Sequence, residues 1–313
     1  MCVAGELITR PWFSGRRIGD YPMIDREVMR KLLQVKDLPT LPEVMGEILD
    51  TVSDENSTAA DLTAILERDH AISARVLRMA NSAFYGLRHK VDSIRHAVIV
   101  IGFDAVRLLA LATSVFDALT HRSQFTLDPK DFWMHSLGAA KAAQLVSERC
   151  GWLGSGHTCF TLGLLHDIGK YILALAFKED YHRVFEMAMR SERSLQEVEA
   201  EQLHTTHAEV GEWIAERWLF PPMMVSVIGN LYNASVYSGP HKREVIAVAL
   251  ANDMSCAGNY GSAGDPMGLP VDENLASLLS LTPDDIVCVM QDLEESREET
   301  LQFMNVLEQK ATV

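Results

Sequence analysis

The sequence predicts an all-α protein, and three observations carry that expectation. Apolar residues recur at i, i+3 and i+4 in nearly every window from Asp25 onward, strand-like alternation is almost absent, and the gaps between periodic stretches are short. Asp25 can cap a first helix whose Val28, Leu32, Leu33 and Val35 form one stripe. Pro42 stands in the first turn of the next, ahead of Val44, Met45, Ile48, Leu49 and Val52. Amphipathic stretches then cover 58–68, 70–81, 93–101, 103–119, 129–149 and 157–177. Others follow at 179–191, 194–203, 207–218, 222–232, 241–258, 272–280 and 283–309. A polar stretch at 120–128, closed by Pro129, separates two groups of helices. A second boundary, Gly261 to Asp272, precedes an acidic last helix whose Ile286, Met290, Leu293 and Met304 are expected to pack on the body. Residues 1–24 show no sustained period and read as an arm or tail.

Composition narrows the function classes. With 313 residues, 48% hydrophobic and 23% charged, the chain is an ordinary globular one, neither disordered, collagen-like nor a disulfide scaffold. Its 28 basic and 43 acidic side chains give a net charge of −15, which argues against non-specific nucleic-acid binding and against docking on an anionic membrane. The most apolar run, Ala97 to Phe116, is interrupted by Asp104 and Arg107, so no membrane span is expected, and Met1 to Arg10 lacks the pattern of a signal peptide. Five scattered cysteines without a C-x-x-C pair read as reduced thiols, and the protein is expected in the cytoplasm.

The chemistry is expected where polar residues break apolar stripes. His135 falls on the face of Phe132, Ala139, Ala142 and Val146, and Asp253 on that of Ile246, Ala249, Leu250 and Ala257. Between them, His166 and Asp167 sit in the run Gly163-Leu164-Leu165-His166-Asp167-Ile168-Gly169-Lys170, where Gly163 allows close approach of a helix or ligand. Buried carboxylates need a cation or several donors. One divalent metal held by His135, His166, Asp167 and Asp253 would answer all four residues, and mixed nitrogen and oxygen ligands suit iron, manganese or zinc. The alternative is separate satisfaction: core histidines bonded to carbonyls, and carboxylates paired with arginine or capping helices. Thr206 and Glu209 fit a capping box that puts His207 at a helix start; His204 and His207 are further candidate ligands. Asn81-Ser82 reads as a hydrogen-bonded turn, with a recognition surface as the alternative, and Arg75 and Arg78 as surface ion-pair formers.

These residues resemble the H…HD…D set of the HD superfamily of metal-dependent phosphohydrolases. Leu38-Pro39-Thr40-Leu41-Pro42-Glu43, the stretch Arg75 to Gly86, and His207-Ala208-Glu209-Val210-Gly211 with Trp218 and Pro221 resemble one branch of it, the HDOD domain. The likeness spans about residues 30–260. It implies an HD/HDOD-like bundle of two packed helical sub-bundles (25–120 and 128–262), with an arm at 1–24 and a helical extension at 263–313. It also implies a bacterial regulatory module that binds a signalling protein or a nucleotide. The paired histidines that cyclic-dinucleotide hydrolases carry after the segment matching Trp218 to Pro222 are replaced by Asn230-Leu231-Tyr232-Asn233, so a single-metal site is expected. The alternative is a metal-dependent phosphohydrolase. There the metal would generate hydroxide and Lys170 would offset phosphate charge.

Overall fold

Helices begin where the sequence supplies a short side-chain oxygen. Thr58, Ser93, Asp128, Ser194, Thr206, Asp272 and Thr282 each accept a hydrogen bond from a first-turn amide. The computed structural model describes residues 24, 26–34, 46–48, 51, 57–82, 87–120, 128–152, 156–191, 193–264 and 271–308. Among them the regular structure is helical, with no strand. The expected arm at 1–24 and most of the expected helix after Pro42 lie outside the described residues.

The N-terminal group comprises α1 (Arg26–Gln34), α2 (Ala59–Arg68), α3 (His70–Ala80), α4 (Ile94–Ile101) and α5 (Phe103–Thr120). The second group runs through α6 (Pro129–Arg149), α7 (Gly156–Leu165), α8 (Ile168–Phe177), α9 (Glu179–Ser191) and α10 (Leu195–Leu203). It continues with α11 (His207–Arg217), α12 (Pro222–Asn230) and, after a short 3₁₀ turn, α13 (Lys242–Ala257). The extension is α14 (Glu273–Leu278), α15 (Pro283–Glu295) and α16 (Arg297–Glu308).

Helix α6 is the hub, packed on α7 and α13 and covered outside by α15 and α16. Small residues bring it close to α7: a Cβ on Gly163 would lie 2.7 Å from the Ala139 carbonyl oxygen. The same holds where α8 crosses α11, since a Cβ on Gly169 would overlap the His207 carbonyl. Through α5, which packs on both α3 and α7, the N-terminal group joins this core.

Two expected helices are broken. The apolar stretch 157–177 turns at His166-Asp167, and the acidic one at 283–309 breaks at Ser296, whose hydroxyl donates to the Leu293 carbonyl. Gly156–Phe177 is long and apolar enough by composition to cross a membrane, but 89% of its most apolar 18-residue window is buried inside the fold as α7 and α8. Arg75, expected at the surface, is only 6% exposed. Asn81 acts as the turn former its position suggested. Its amide donates to the Leu77 and Val91 carbonyls at 2.7 Å, and its oxygen accepts from the Val91 amide at 2.7 Å.

Candidate metal centre

The turn between α7 and α8 decides the site. On one continuous helix, His166 and Asp167 would diverge by about 100°. The break at these two residues instead lets both side chains face the centre enclosed by α6, α11 and α13. His135 reaches it from mid-α6, His207 from the first residue of α11, and Asn252 from α13. His135, His166, Asp167 and His207 are each at most 2% exposed.

Around Asp167 the distances are short. Its Oδ2 lies 3.2 Å from His166 Nε2 and 3.6 Å from His135 Nε2, and its Oδ1 lies 3.8 Å from His207 Nε2. Asn252 Oδ1 stands 3.0 Å from His135 Nε2 and 3.3 Å from His166 Nε2. Behind this first ring, partners fix the imidazoles. His166 Nδ1 is 2.6 Å from the Gly163 carbonyl, which can only accept, so Nδ1 carries a proton and Nε2 is the ring atom that faces the centre. His207 Nδ1 is 2.6 Å from Glu199 Oε2, and Tyr181 donates to Glu199 Oε1 at 2.7 Å. A carboxylate behind an imidazole is the arrangement that orients a metal-ligating histidine.

The donor set fits a metal ion. His135, His166 and Asp167 offer ligand atoms that all lie within 4.8 Å of one another. His207 Nε2 and Asp167 Oδ1, both enclosed, make no hydrogen bond. Lone pairs converging on one point repel unless a cation lies among them. His135, His166 and Asp167 are the residues that would hold it, with His207 Nε2 facing the other oxygen of Asp167. A built-in cation is already present, because fully buried Lys170 places its Nζ 2.8 Å from Asp167 Oδ2. Burial opposes the charge on Asp167, but the neighbouring His166 and Lys170 charges outweigh it and hold the carboxyl well below the usual range.

Three expectations need correction. Asp253 does not join the centre: it is half-buried and its Oδ2 accepts from the Asp272 amide at 3.3 Å, while the preceding residue, Asn252, faces the histidines. Helix α13 is buried on nearly all sides, so its apolar pattern does not single out one face. His204 is exposed at the left-handed end of α10, away from the centre. Lys170, expected to offset phosphate charge, is paired with Asp167. His207 both starts a helix through the Thr206–Glu209 capping box and faces the centre. Glu199 and Tyr181 were not anticipated; a buried glutamate one helix before a capped histidine was the available signal.

The chain's residues 38–234, more than half its length, match the HDOD domain. A structure of an HDOD domain protein of unknown function from Geobacter sulfurreducens superposes with a TM-score of 0.72 at 23% identity, covering 91% of this chain and 100% of that one. A candidate phosphohydrolase of Shewanella amazonensis gives 0.70 at 26% identity, covering 88% and 98%. A candidate signal transduction protein of Marinobacter aquaeolei gives 0.75 at 21%, covering 90% and 65%. An uncharacterized protein of Treponema pallidum is 22% identical over 219 residues, 70% of this chain and 42% of that protein, so the chain spans less than half of that relative's length. By sequence match and by fold, the chain belongs to the HDOD family.

Proposed function

We propose that this protein is a bacterial regulatory module of the cytoplasm that works by binding a signalling protein, with its HD-derived centre kept as an internal pin. The observation that carries this reading is the enclosure of the centre together with the inward turn of Lys170. The ion pair at 2.8 Å occupies the one negative ligand, and the histidines around it are buried from solvent. A phosphate ester would need an open coordination position and a free cation beside it. Asn252 stands where the resemblance called for a second carboxylate, leaving a single anionic ligand already balanced by an ammonium.

A divalent iron, manganese or zinc ion on His135, His166 and Asp167 suits these nitrogen and oxygen donors. Such an ion would supply Lewis acidity to a bound water. The chain's own contribution is to orient the imidazoles through Gly163 and Glu199 and to exclude solvent. The convergent lone pairs favour a second reading, a metal-dependent phosphohydrolase of nucleotides or phosphate esters. The test loads wild type and Asp167→Asn separately with Mn²⁺, Fe²⁺ and Zn²⁺, measures bound metal, and assays aryl phosphate mono- and diesters and nucleotides. We expect equal, background hydrolysis in both. Turnover in wild type that disappears in Asp167→Asn would replace the first reading with the second.

A further inference from the structure

A cavity of about 790 Å³ opens between α3, the segment after it and α16, built by elements other than those carrying the histidines. Its apolar wall comes from Ala74, Leu77 and Val91, and polar residues line the rest: Arg78 on α3, Asn81 and Ser82 just after it, Lys90 and Asp92, and Gln302 on α16. An apolar hollow of a few hundred cubic ångström with a few converging polar groups is the usual form of a small-molecule site.

The charge there is unbalanced. Arg78 makes no ion pair among the described residues, and its Nε and Nη2 are enclosed without a hydrogen bond, which leaves Nη1 as the accessible donor. Lys90 is exposed and likewise has no acidic partner among the described residues. The lining acid, Asp92, is turned to His96 Nδ1 at 3.2 Å and is largely in solvent. Arg75, one turn before Arg78, is buried and feels the opposite charge of Asp69. Burial first, and then the Arg78 charge, push the Arg75 guanidinium down. Arg78 and Lys90, two cations without an acidic partner among the described residues, stand at one hollow in a chain of net charge −15, and an anion would balance their charge. The Asn81 clamp on Val91 holds the segment carrying Lys90 in place, so the donors are preorganised.

We infer that this cavity binds a small phosphorylated molecule with an apolar or aromatic body, the chemistry of a nucleoside monophosphate. Its phosphate lies against Arg78 and Lys90, and its body lies along Leu77 and Val91. Because α16 supplies one wall, occupancy also ties the C-terminal extension to the N-terminal helices.

The test is titration calorimetry at low salt on the full chain, with inorganic phosphate and adenosine 5′-monophosphate as separate probes, for wild type, Arg78→Met and Lys90→Met. Adenosine monophosphate is expected to bind more tightly than phosphate, and to lose about ten-fold in affinity in Arg78→Met through the missing charge-assisted hydrogen bond. Lys90→Met, altered at an exposed position, should weaken binding as well and carries the test if Arg78→Met fails to fold. Absence of binding at millimolar concentration in wild type overturns the site, as does affinity unchanged in Lys90→Met together with any folded Arg78→Met. Equal affinity for the two probes overturns the apolar-body part. Binding in the double variant Lys170→Met with Asp167→Asn, which removes both buried charges of the histidine centre, should match wild type once circular dichroism shows it folded; its loss in that folded variant would place the ligand at the histidine centre and overturn this assignment.

Discussion

The ion pair between Lys170 and Asp167 sets the energetics of the centre. Both side chains are out of water, so neither can lose its partner without leaving an uncompensated buried charge. Lys170→Met should therefore destabilise the fold by about 3–5 kcal/mol in urea unfolding, whereas Lys170→Met with Asp167→Asn removes both charges and should recover most of that loss. Equal stability of wild type and Lys170→Met would mean that something other than the ammonium satisfies Asp167. Several of these roles were legible from residue type alone: a histidine on an apolar stripe at 135, and a His-Asp pair in an apolar run. The step from Asp253 to Asn252 was not. It is a rotation of one residue on a helix buried on almost every side, where hydrophobic periodicity has no contrast to report. Asn252 is recognisable only through the histidines it faces.

At the scale of elements, glycine fixes how closely helices cross. Gly169 lies where α8 meets the first turn of α11, and an added methyl would overlap the His207 carbonyl and come within 2.8 Å of the Gly211 amide nitrogen. Backbone cannot step aside as a side chain can. Gly169→Ala should push α11 outward, destabilising the protein by about 1–3 kcal/mol or more, and with it move His207 from Asp167. The check is paired: urea unfolding for the stability loss, and the His207 imidazole NMR signals for the displacement. A variant with native stability and unchanged signals would mean that the crossing has slack. Helix positions were readable because caps and periodicity are local, as the Thr58, Thr206 and Thr282 boxes show. The turn at His166-Asp167 was not readable, since Leu164, Leu165 and Ile168 continue a helical apolar pattern straight through it. What ends α7 is a tertiary demand, the inward orientation of two adjacent polar side chains.

For the whole molecule, the extension is part of the core rather than a separate appendage. Val289, Leu293, Phe303 and Met304 are buried, Phe303 meets Phe160 of α7 edge-on at 5.7 Å, and Arg297 donates to the Gly258 carbonyl at 2.6 Å. At its outer edge one ion pair ties α15 to α6: Arg149 Nε lies 2.8 Å from Asp285 Oδ1, while Asp285 Oδ2 accepts from the Thr282 hydroxyl and amide. These hydrogen bonds, the Thr282 ones first and Arg149 after them, pull the Asp285 carboxyl from its ordinary 3.8 to about 2. A carboxyl lowered in the folded state stabilises the fold fully above its unfolded value, and that contribution fades as pH falls from 3.8 toward about 2. Asp285→Asn keeps the shape and an acceptor for the cap but not the charge. Wild type should therefore exceed this variant in urea stability at pH 6, and the gap should narrow steadily below pH 4. Because both partners are partly in solvent, the gap should also shrink with added salt. A gap that stays constant from pH 6 to pH 3 would mean that Asp285 acts through its cap geometry alone, and that the extension is held by its buried apolar face without help from charge.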